Sequence, residues 1–338
     1  MRILTAVLVL AAAPFTTAAP AAAQTGAAAQ FAGTYSLVTI EAKDPATGRW
    51  SARPDFNSNG YIIYAPTGQM AVHIQPKVRS KYAGATPTAE EAAAAMRGYT
   101  MYFGGYTVNG NEQFVVHHRV GNVNPGAVVD AKRYFEFVTT PQGRERLILT
   151  PAPGNTGPKA QATTRLIWER QDAAPLSAEQ EKFVGFYKLL YTDRYRTKDG
   201  RMVFHGDPSG KAGGRVTTQA GTSYIIYTDT GHMMVIQMNN SGRVKYAAAQ
   251  PTPAEALAAW RSIGGYFGRF VTFENQNPPY VIHSQQGTST PGAYSDQQRF
   301  YQFTGDVLRL GGPPRYDAET GELEGGHLYW QRMKAGEK

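Results

Sequence analysis

The chain has 338 residues, which suits about two domains. It is 42% hydrophobic, enough for a core, and it has no cysteine, which excludes disulfide bonds, thiolate metal sites and a cysteine nucleophile. The formal charge of +8 comes from scattered Lys and Arg residues rather than a basic run, so we expect no nucleic acid partner. Its 36 glycines, 21 prolines and 12% aromatic residues favour short strands joined by turns.

The N-terminus has the pattern of a secretory signal peptide. Basic Met1-Arg2 precedes the apolar stretch 3–13, and Ala21-Ala22-Ala23 offers a small-residue cleavage site. We predict that residues 1–23 form a signal peptide cleaved after Ala23, and that the mature protein is periplasmic or secreted. No later run approaches the ~18 apolar residues of a spanning helix, so we expect no integral membrane segment after processing.

The rest of the sequence is a tandem duplication of one unit. The opening Phe31-Ala-Gly-Thr-Tyr35 returns as Phe183-Val-Gly-Phe-Tyr187. Further segments recur in the same order, namely Tyr61–Tyr64 with Tyr224–Tyr227, Tyr102 with Tyr266, Phe114–His117 with Tyr280–His283, Arg133 with Arg299, and Leu166–Arg170 with Leu328–Arg332. Each copy is long enough to fold alone. We therefore predict one domain over residues 24–172 and a second over residues 173–338.

Each copy consists mainly of predicted strands. Runs of β-forming residues in the first copy predict strands at Tyr61–Tyr64, Gln69–Gln75, Phe114–Val120 and Arg133–Thr139. The turn residues Pro66-Thr67-Gly68 join the first two of these as a hairpin. Many strands in about 150 residues favour a closed antiparallel barrel, because closure removes exposed sheet edges.

One short helix interrupts the strands of each copy. Thr88 is the predicted N-cap in the first copy, and Glu91 stands three residues later as a capping box requires. Thr252 and Glu255 repeat this pattern in the second copy. The pair Gly264-Gly265 is expected to end that second helix.

The recurring motifs resemble the bacterial lipocalin-like domain family. They are the opening Gly-x-Tyr (Gly33 and Tyr35; Gly185 and Tyr187), the Tyr-Ile-Ile-Tyr-x-x-x-Gly-x-Met hairpin and the closing Leu-x-Trp-x-Arg. The resemblance covers nearly the whole mature chain, twice. It implies an all-β fold of two tandem antiparallel lipocalin-like β-barrels, each with one short helix.

The closing motif predicts a contact between the ends of each copy. The first and last strands become neighbours when a sheet closes into a barrel. An Arg of the last strand can then stack on an aromatic ring of the first strand and bond the backbone beside it. We predict that Arg170 closes on Tyr35 and that Arg332 closes on Tyr187, with an anion site as the functional alternative.

A His and an Arg recur on neighbouring strands as candidate catalytic residues. They are His117 and Arg133 in the first copy, and His283 and Arg299 in the second. One interpretation is a buried polar pair that keeps the strand register. The other is a His that moves a proton beside an Arg that binds a carboxylate, enolate or phenolate. We expect the first copy to be the functional one, because it alone has His73.

Aromatic residues of the strands predict either core packing or an apolar pocket with phenol hydroxyls. The candidate ligand-binding residues are Tyr61, Tyr64, His73, Tyr102, Tyr227 and Tyr266. We expect no cofactor, since the sequence has no phosphate loop and no dinucleotide fingerprint, and no metal, since the histidine spacing does not suit a zinc site.

Two functions stay open. The first is an exported protein that binds a small, largely apolar ligand, for example an aromatic one, in a barrel lumen. The second is a cofactor-free isomerase, cyclase, dehydratase or lyase that uses the His–Arg pair in the lumen. Turnover distinguishes them, because a carrier returns its ligand unchanged.

Overall fold

The computed structural model describes residues 26–206, 221–239, 243–292, 294–317 and 320–337. The predicted signal peptide and its cleavage site lie outside the described residues.

The first copy forms a closed antiparallel barrel, called barrel 1. Its strands are β1 (Gly33–Lys43), β2 (Trp50–Ala52), β3 (Ser58–Tyr64), β4 (Gln69–Pro76), β5 (Thr100–Asn109), β6 (Phe114–Asn122), β7 (Asp130–Thr139), β8 (Glu145–Pro151) and β9 (Thr164–Arg170). Eight of them form a ring, because β1 pairs with both β3 and β9 while β3 to β9 pair in sequence. The short β2 pairs only with the far half of β1.

The second copy repeats this arrangement as barrel 2. Its strands are β10 (Gly185–Arg196), β11 (Met202–Gly206), β12 (Gly221–Tyr227), β13 (His232–Asn239), β14 (Ile263–Phe273), β15 (Tyr280–Thr288), β16 (Asp296–Thr304), β17 (Val307–Gly311), β18 (Arg315–Tyr316) and β19 (Leu323–Arg332). The ring closes through β10 and β19, and β11 and β18 extend from it. The predicted fold class, two tandem antiparallel barrels, is confirmed.

The helices are short and lie at the barrel ends. They are α1 (Ala27–Phe31), α2 (Ala89–Met96), α3 (Ala178–Phe183) and α4 (Pro253–Arg261). Both predicted capping boxes are present, at Thr88 and at Thr252. The predicted end of α4 is wrong, because the helix stops at Arg261 and Gly264-Gly265 belong to β14. None of the helices in the described ranges is long and apolar enough to cross a bilayer.

One end of each barrel is plugged by the helix that precedes its first strand. Phe31 of α1 enters barrel 1 and packs edge-on against the rings of Tyr64 (5.1 Å) and Phe135 (4.8 Å). Phe183 of α3 packs in the same way against Tyr227 (5.1 Å) in barrel 2. The opposite end, formed in barrel 1 by loops 44–57, 77–99, 123–129 and 152–163, is called the mouth.

The closing arginines lie at the plugged end. The guanidinium of Arg170 stacks 4.7 Å from the centre of the Tyr35 ring and donates a hydrogen bond to the carbonyl of Ala32 (2.7 Å). Arg332 stacks 4.8 Å from the centre of the Tyr187 ring and donates to backbone carbonyls of the α3 segment. Each Arg therefore ties the last strand of its barrel to the segment that enters the first.

The two barrels pack together through the outer faces of β3–β5 and β12–β14. One hydrophobic cluster draws on both barrels, including Ile63, Ala71, Met101, Phe103, Ile226, Met234, Ile236 and Phe267. The rings of Phe103 and Tyr224 meet edge-on at 4.9 Å across this interface. Helices α2 and α4 extend the contact, with the indole of Trp260 donating to the Tyr82 hydroxyl (2.6 Å). Both faces of these strands are therefore buried.

The interface is reciprocal. Arg79 of barrel 1 donates hydrogen bonds to the carbonyls of Thr288 (2.6 Å) and the next residue (3.0 Å). Its counterpart Arg243 in barrel 2 donates to the carbonyls of Asn122 (2.5 Å) and the next residue (3.2 Å). Asn122 and Thr288 are themselves counterparts at the ends of β6 and β15. The same surface thus meets its own copy, as in a two-fold symmetric dimer.

Candidate ligand site in the barrel lumens

The lumen of each barrel is lined by aromatic and aliphatic side chains. In barrel 1 the buried lining includes Tyr35, Ile62, Tyr64, Met70, Val72, Tyr102, Val115, Phe135, Leu147, Leu149 and Trp168. In barrel 2 it includes Tyr187, Ile225, Tyr227, Met233, Val235, Phe270, Val281, Tyr301, Leu308, Leu310 and Trp330. Alternate residues of each strand point inward, which gives this period-2 lining.

A histidine sits between two tyrosines in the lumen of barrel 1. His117 is fully buried, with its Nε2 2.8 Å from the Tyr64 hydroxyl and its Nδ1 2.9 Å from the Tyr102 hydroxyl. These residues are called the lumen triad of barrel 1. Neighbouring strands supply them, since β3, β5 and β6 each carry one.

Barrel 2 has the same arrangement. His283 is fully buried, and both of its ring nitrogens lie 2.8 Å from a phenol, those of Tyr227 and Tyr266. These residues form the lumen triad of barrel 2. Of the candidate ligand-binding residues, the structure therefore brings Tyr64, Tyr102, Tyr227 and Tyr266 to the histidines.

Both triads are uncharged at neutral pH. Burial, together with the charge of Arg299, lowers the pKa of His283 to about 3, and burial together with the charges of Arg133 and Arg119 lowers the pKa of His117 well below 6.5. Burial also raises the pKa of Tyr64 and Tyr227 well above 10. A neutral imidazole donates one hydrogen bond and accepts one, so one phenol of each triad accepts from the ring and keeps its own proton for another acceptor.

The candidate arginines share the lumen with the histidines. Arg133 is in register with the inward-facing Val115, and Arg299 is in register with the inward-facing Val281. Each guanidinium donates to the carbonyl of the residue before it, at 3.0 Å for Arg133 and 2.9 Å for Arg299. The predicted His–Arg pairs therefore face the same space.

Tyr61 and His73 lie on the other face of their strands, against barrel 2. The ring of Tyr61 is 4.7 Å from that of His232, and the ring of His73 is 4.7 Å from that of Phe267. Tyr61 stands three residues from Tyr64, so the two side chains must leave a strand on opposite faces. Neither Tyr61 nor His73 joins the lumen triad.

His73 is also without hydrogen bonds. Neither of its ring nitrogens has a partner among the described residues, although the side chain is fully buried. Burial and the charge of Arg79 lower its pKa to about 3, so the ring is neutral. In barrel 2 the corresponding position of β13 holds Ile236.

Two lumen features were not predicted as site residues. The indole N–H groups of Trp168 and Trp330 are buried in the two lumens and have no hydrogen-bond partner among the described residues. Arg119 lies at the mouth of barrel 1, 5.5 Å from the centre of the Tyr102 ring. Its side chain donates to the carbonyl of Val129 (2.9 Å). Aligning the two copies would have singled out Arg119, because barrel 2 has glutamine there.

The comparison with known families agrees with this architecture. The sequence profile of the lipocalin-like domain matches residues 32–171 and again residues 189–333. The chain belongs to the lipocalin-like domain family. The expected tandem duplication is thereby confirmed, and the barrel fold indicates a ligand-binding protein.

Other comparisons add little to this lipocalin-like assignment. No curated protein matches the chain. A crystal structure of a protein of unknown function from the DUF3598 family of Nostoc punctiforme aligns over 92% of this chain and 100% of that one. Its identity is 9% and its TM-score 0.21, which is too low to bear on fold or function.

A cavity that is open to solvent also lies between the two lipocalin-like barrels. It has a volume of about 370 Å³ and lies where the hairpins β3–β4 and β12–β13 turn beside the plugged ends. Its lining is symmetric, with Gly33 and Tyr64 from barrel 1 and Gly185 and Tyr227 from barrel 2. Within the described ranges, no three His, Asp or Glu side chains come together in a way that could hold a metal ion.

Proposed function

We propose that this protein is an exported lipocalin-like carrier that binds a small, largely apolar ligand, for example an aromatic one, in a barrel lumen. The observation that carries the proposal is the lumen triad, a neutral histidine between two phenols inside an apolar lining. Ligand pockets combine apolar walls with a few converging polar groups in this manner.

The polar groups of each lumen indicate which hydrogen-bonding group the ligand carries. Each lumen has a triad phenol with a free proton and an indole N–H, of Trp168 or Trp330, that has no described partner. A buried donor without a partner costs about 1–3 kcal/mol, and a ligand oxygen that accepts from it recovers this cost. The expected ligand is therefore an apolar molecule that carries at least one acceptor oxygen.

A cofactor-free isomerase, cyclase, dehydratase or lyase is the second candidate. It is favoured by the shared orientation of His117 and Arg133. Burial lowers the pKa of His117 so far that the ring is a weak base, which favours binding over proton abstraction. In an enzyme of this kind the Tyr64 phenol would donate to a developing oxyanion, with Arg133 adding positive charge.

The test is native mass spectrometry of the protein isolated from its own compartment. We expect a bound small molecule that organic solvent extracts unchanged after prolonged incubation with the protein. Conversion of that molecule would favour the enzyme. A protein that carries nothing, and whose tryptophan fluorescence does not respond to any apolar aromatic compound, would overturn the proposal. The intact mass tests export, which requires a mature chain that starts at Gln24.

A matched pair of variants identifies the barrel that binds. Trp168→Phe removes an indole N–H that makes no described protein hydrogen bond. It also removes ring volume from a fully buried side chain, so we expect it to lower the free energy of unfolding by about 1–3 kcal/mol while the barrel stays folded. We expect ligand affinity to fall about tenfold, which is ~1.4 kcal/mol, if the ligand oxygen accepts from that N–H. Trp330→Phe makes the same change in barrel 2. Equal affinity in the wild type and both variants would contradict the role given to the indoles.

A further inference from the structure

The mouths of the two barrels differ in charge. Arg119 of β6 is matched by Gln285 of β15, and Ala131 of β7 is matched by Gln297 of β16. The strand register places Ala131 opposite the triad histidine of barrel 1 and Gln297 opposite the triad histidine of barrel 2. Barrel 1 thus has two arginines beside its triad, whereas barrel 2 has one arginine and two glutamines.

In barrel 2 these polar side chains satisfy each other. The Arg299 guanidinium donates to the Gln297 side-chain oxygen at 3.1 Å and to the Gln298 carbonyl at 2.9 Å. The Gln285 side-chain oxygen accepts from the backbone N–H of Ser295 at 3.3 Å. In the mouth of barrel 2, amide groups of the same barrel therefore accept hydrogen bonds from Arg299.

In barrel 1 the corresponding space holds unmatched positive charge. Ala131 has no polar side chain, and the one side-chain hydrogen bond described for Arg133 goes to the carbonyl before it. Within the part of the chain that the structure describes, Arg119 uses two of its five N–H donors, on the carbonyl of Val129 and the side-chain oxygen of Asn155 (3.2 Å). These two bonds fix the guanidinium at the mouth and leave the other donors for a ligand.

The charges of the two arginines act on each other. Burial lowers the pKa of Arg119, and the charge of Arg133 lowers it further. Asp130 opposes this effect, but its exposed carboxylate pairs with His118 at 3.0 Å on the outer surface. Two cations held near each other in a partly buried site gain most from an anion that neutralises both.

We infer that barrel 1 takes a carboxylate ligand, with its apolar body in the lumen and its carboxylate held by Arg119 and Arg133 beside the lumen triad. A planar guanidinium donates two parallel hydrogen bonds to a carboxylate, which suits this arrangement. Barrel 2 does not take this ligand class, because its glutamines occupy the same space. The inference rests on the proposed function, since it names the ligand class of the proposed lumen site.

The first experiment compares a charged probe with its neutral isostere. We would titrate the mature protein with 2-naphthoate and with 2-naphthamide and measure both affinities by calorimetry. We expect the carboxylate to bind at least tenfold more tightly than the amide at one site per chain, and the difference to shrink as salt is added. Equal binding of both probes would overturn the inference alone. Binding of neither probe would overturn the inference, and the proposed function would fall with it only when the isolated protein also carries no bound molecule.

The variants exchange the residues of the two mouths. Arg119→Gln gives barrel 1 the residue of barrel 2, and we expect it to weaken 2-naphthoate binding about tenfold while 2-naphthamide binding is unchanged. A matched loss for both probes would mean that Arg119 only holds the mouth loops in place, and would overturn the inference.

The reverse exchange does not depend on the stability of barrel 1. Gln285→Arg with Gln297→Ala rebuilds the mouth of barrel 1 in barrel 2, and we expect the stoichiometry for 2-naphthoate to rise from one to two per chain. Gln297→Ala alone is the control, because it removes the amide without adding a positive charge, and it should leave the single wild-type site unchanged. A single site in the rebuilt protein would count against the ligand class assigned to this charge pattern.

Discussion

The interiors of barrel 1 and barrel 2 are nearly the same, whereas their surfaces and mouths are not. The histidine-to-phenol distances are 2.8 and 2.9 Å in barrel 1 and 2.8 Å twice in barrel 2. On the interface, however, barrel 1 has a buried His73 where barrel 2 has Ile236. At the mouth it has Arg119 where barrel 2 has Gln285. Both copies thus keep a triad, and only barrel 1 combines it with two cations.

The strongest way to break this comparison is to separate the barrels. Residues 24–172 and 173–338, produced as separate chains, would each expose the outer face that includes Met101 and Phe103 or Met234 and Phe267. Apolar patches of this kind drive association. We expect each half alone to self-associate and the mixed halves to form a 1:1 complex, measured by size-exclusion chromatography with light scattering. Two monomeric halves with cooperative melts would contradict this expectation.

Substitution of the reciprocal arginines tests the symmetry of the interface, with a smaller expected effect than separation of the barrels. Arg79→Ala and Arg243→Ala each remove two hydrogen bonds across the interface from a charged donor, and such bonds contribute about 1.5–3 kcal/mol each. Arg79 also lies 4.9 Å from the centre of the Tyr99 ring, which adds about 0.5–1 kcal/mol. Arg243 instead donates further hydrogen bonds to the Ala259 carbonyl and the Ser262 hydroxyl within barrel 2. Urea unfolding should therefore show both variants destabilised by similar amounts. A large effect from one variant only would contradict the reciprocity.

The smallest expected effect is a gain of stability from His73→Ile, which gives barrel 1 the residue of barrel 2. The unfolded chain protonates His73 near pH 6.5 and the folded chain only near pH 3. As the pH falls from 6.5 towards 3, the unfolded state therefore binds more protons and the free energy of unfolding falls, by about 1.4 kcal/mol per pH unit for each such histidine.

We expect His73→Ile to raise the free energy of unfolding at pH 7 by about 1–3 kcal/mol, because it removes two buried ring nitrogens that lack partners. It should also flatten the acid slope between pH 6 and 4. His232→Gln is the control. Barrel 1 has Gln69 at the position of His232. Because the pKa of His232 in the folded protein is about 4, this histidine lowers the free energy of unfolding over a narrower pH range, from 6.5 to 4, than His73 does. Lower stability of His73→Ile at pH 7 would show that the packing of the imidazole on Phe267 outweighs its missing hydrogen bonds.

Features that depend on near neighbours in the chain could be predicted from the sequence. The duplication, the hairpins, the capping boxes at Thr88 and Thr252 and the closure of each sheet all follow from repeats, strand-forming runs and helix-start signals. The hairpins and the capping boxes need only a few consecutive residues, and the duplication needs only a comparison of the sequence with itself. The pairing of the closing motif with the opening motif followed from barrel closure itself.

The tertiary structure decided which face of each strand is the lumen. Apolar side chains occupy both faces of β3–β5, because the other barrel covers the outer one, so hydrophobicity could not separate Tyr64 inside from Tyr61 outside. The wrong prediction for Gly265 has the same cause, namely the contact between the barrels. It resembled a helix end, yet it lies in β14, where a side chain would meet the Val235 carbonyl oxygen at 2.4 Å and the Met101 sulfur at 3.1 Å. These contacts come from a neighbouring strand and from the other barrel. Local sequence patterns do not reveal such partners, because they are distant in the chain.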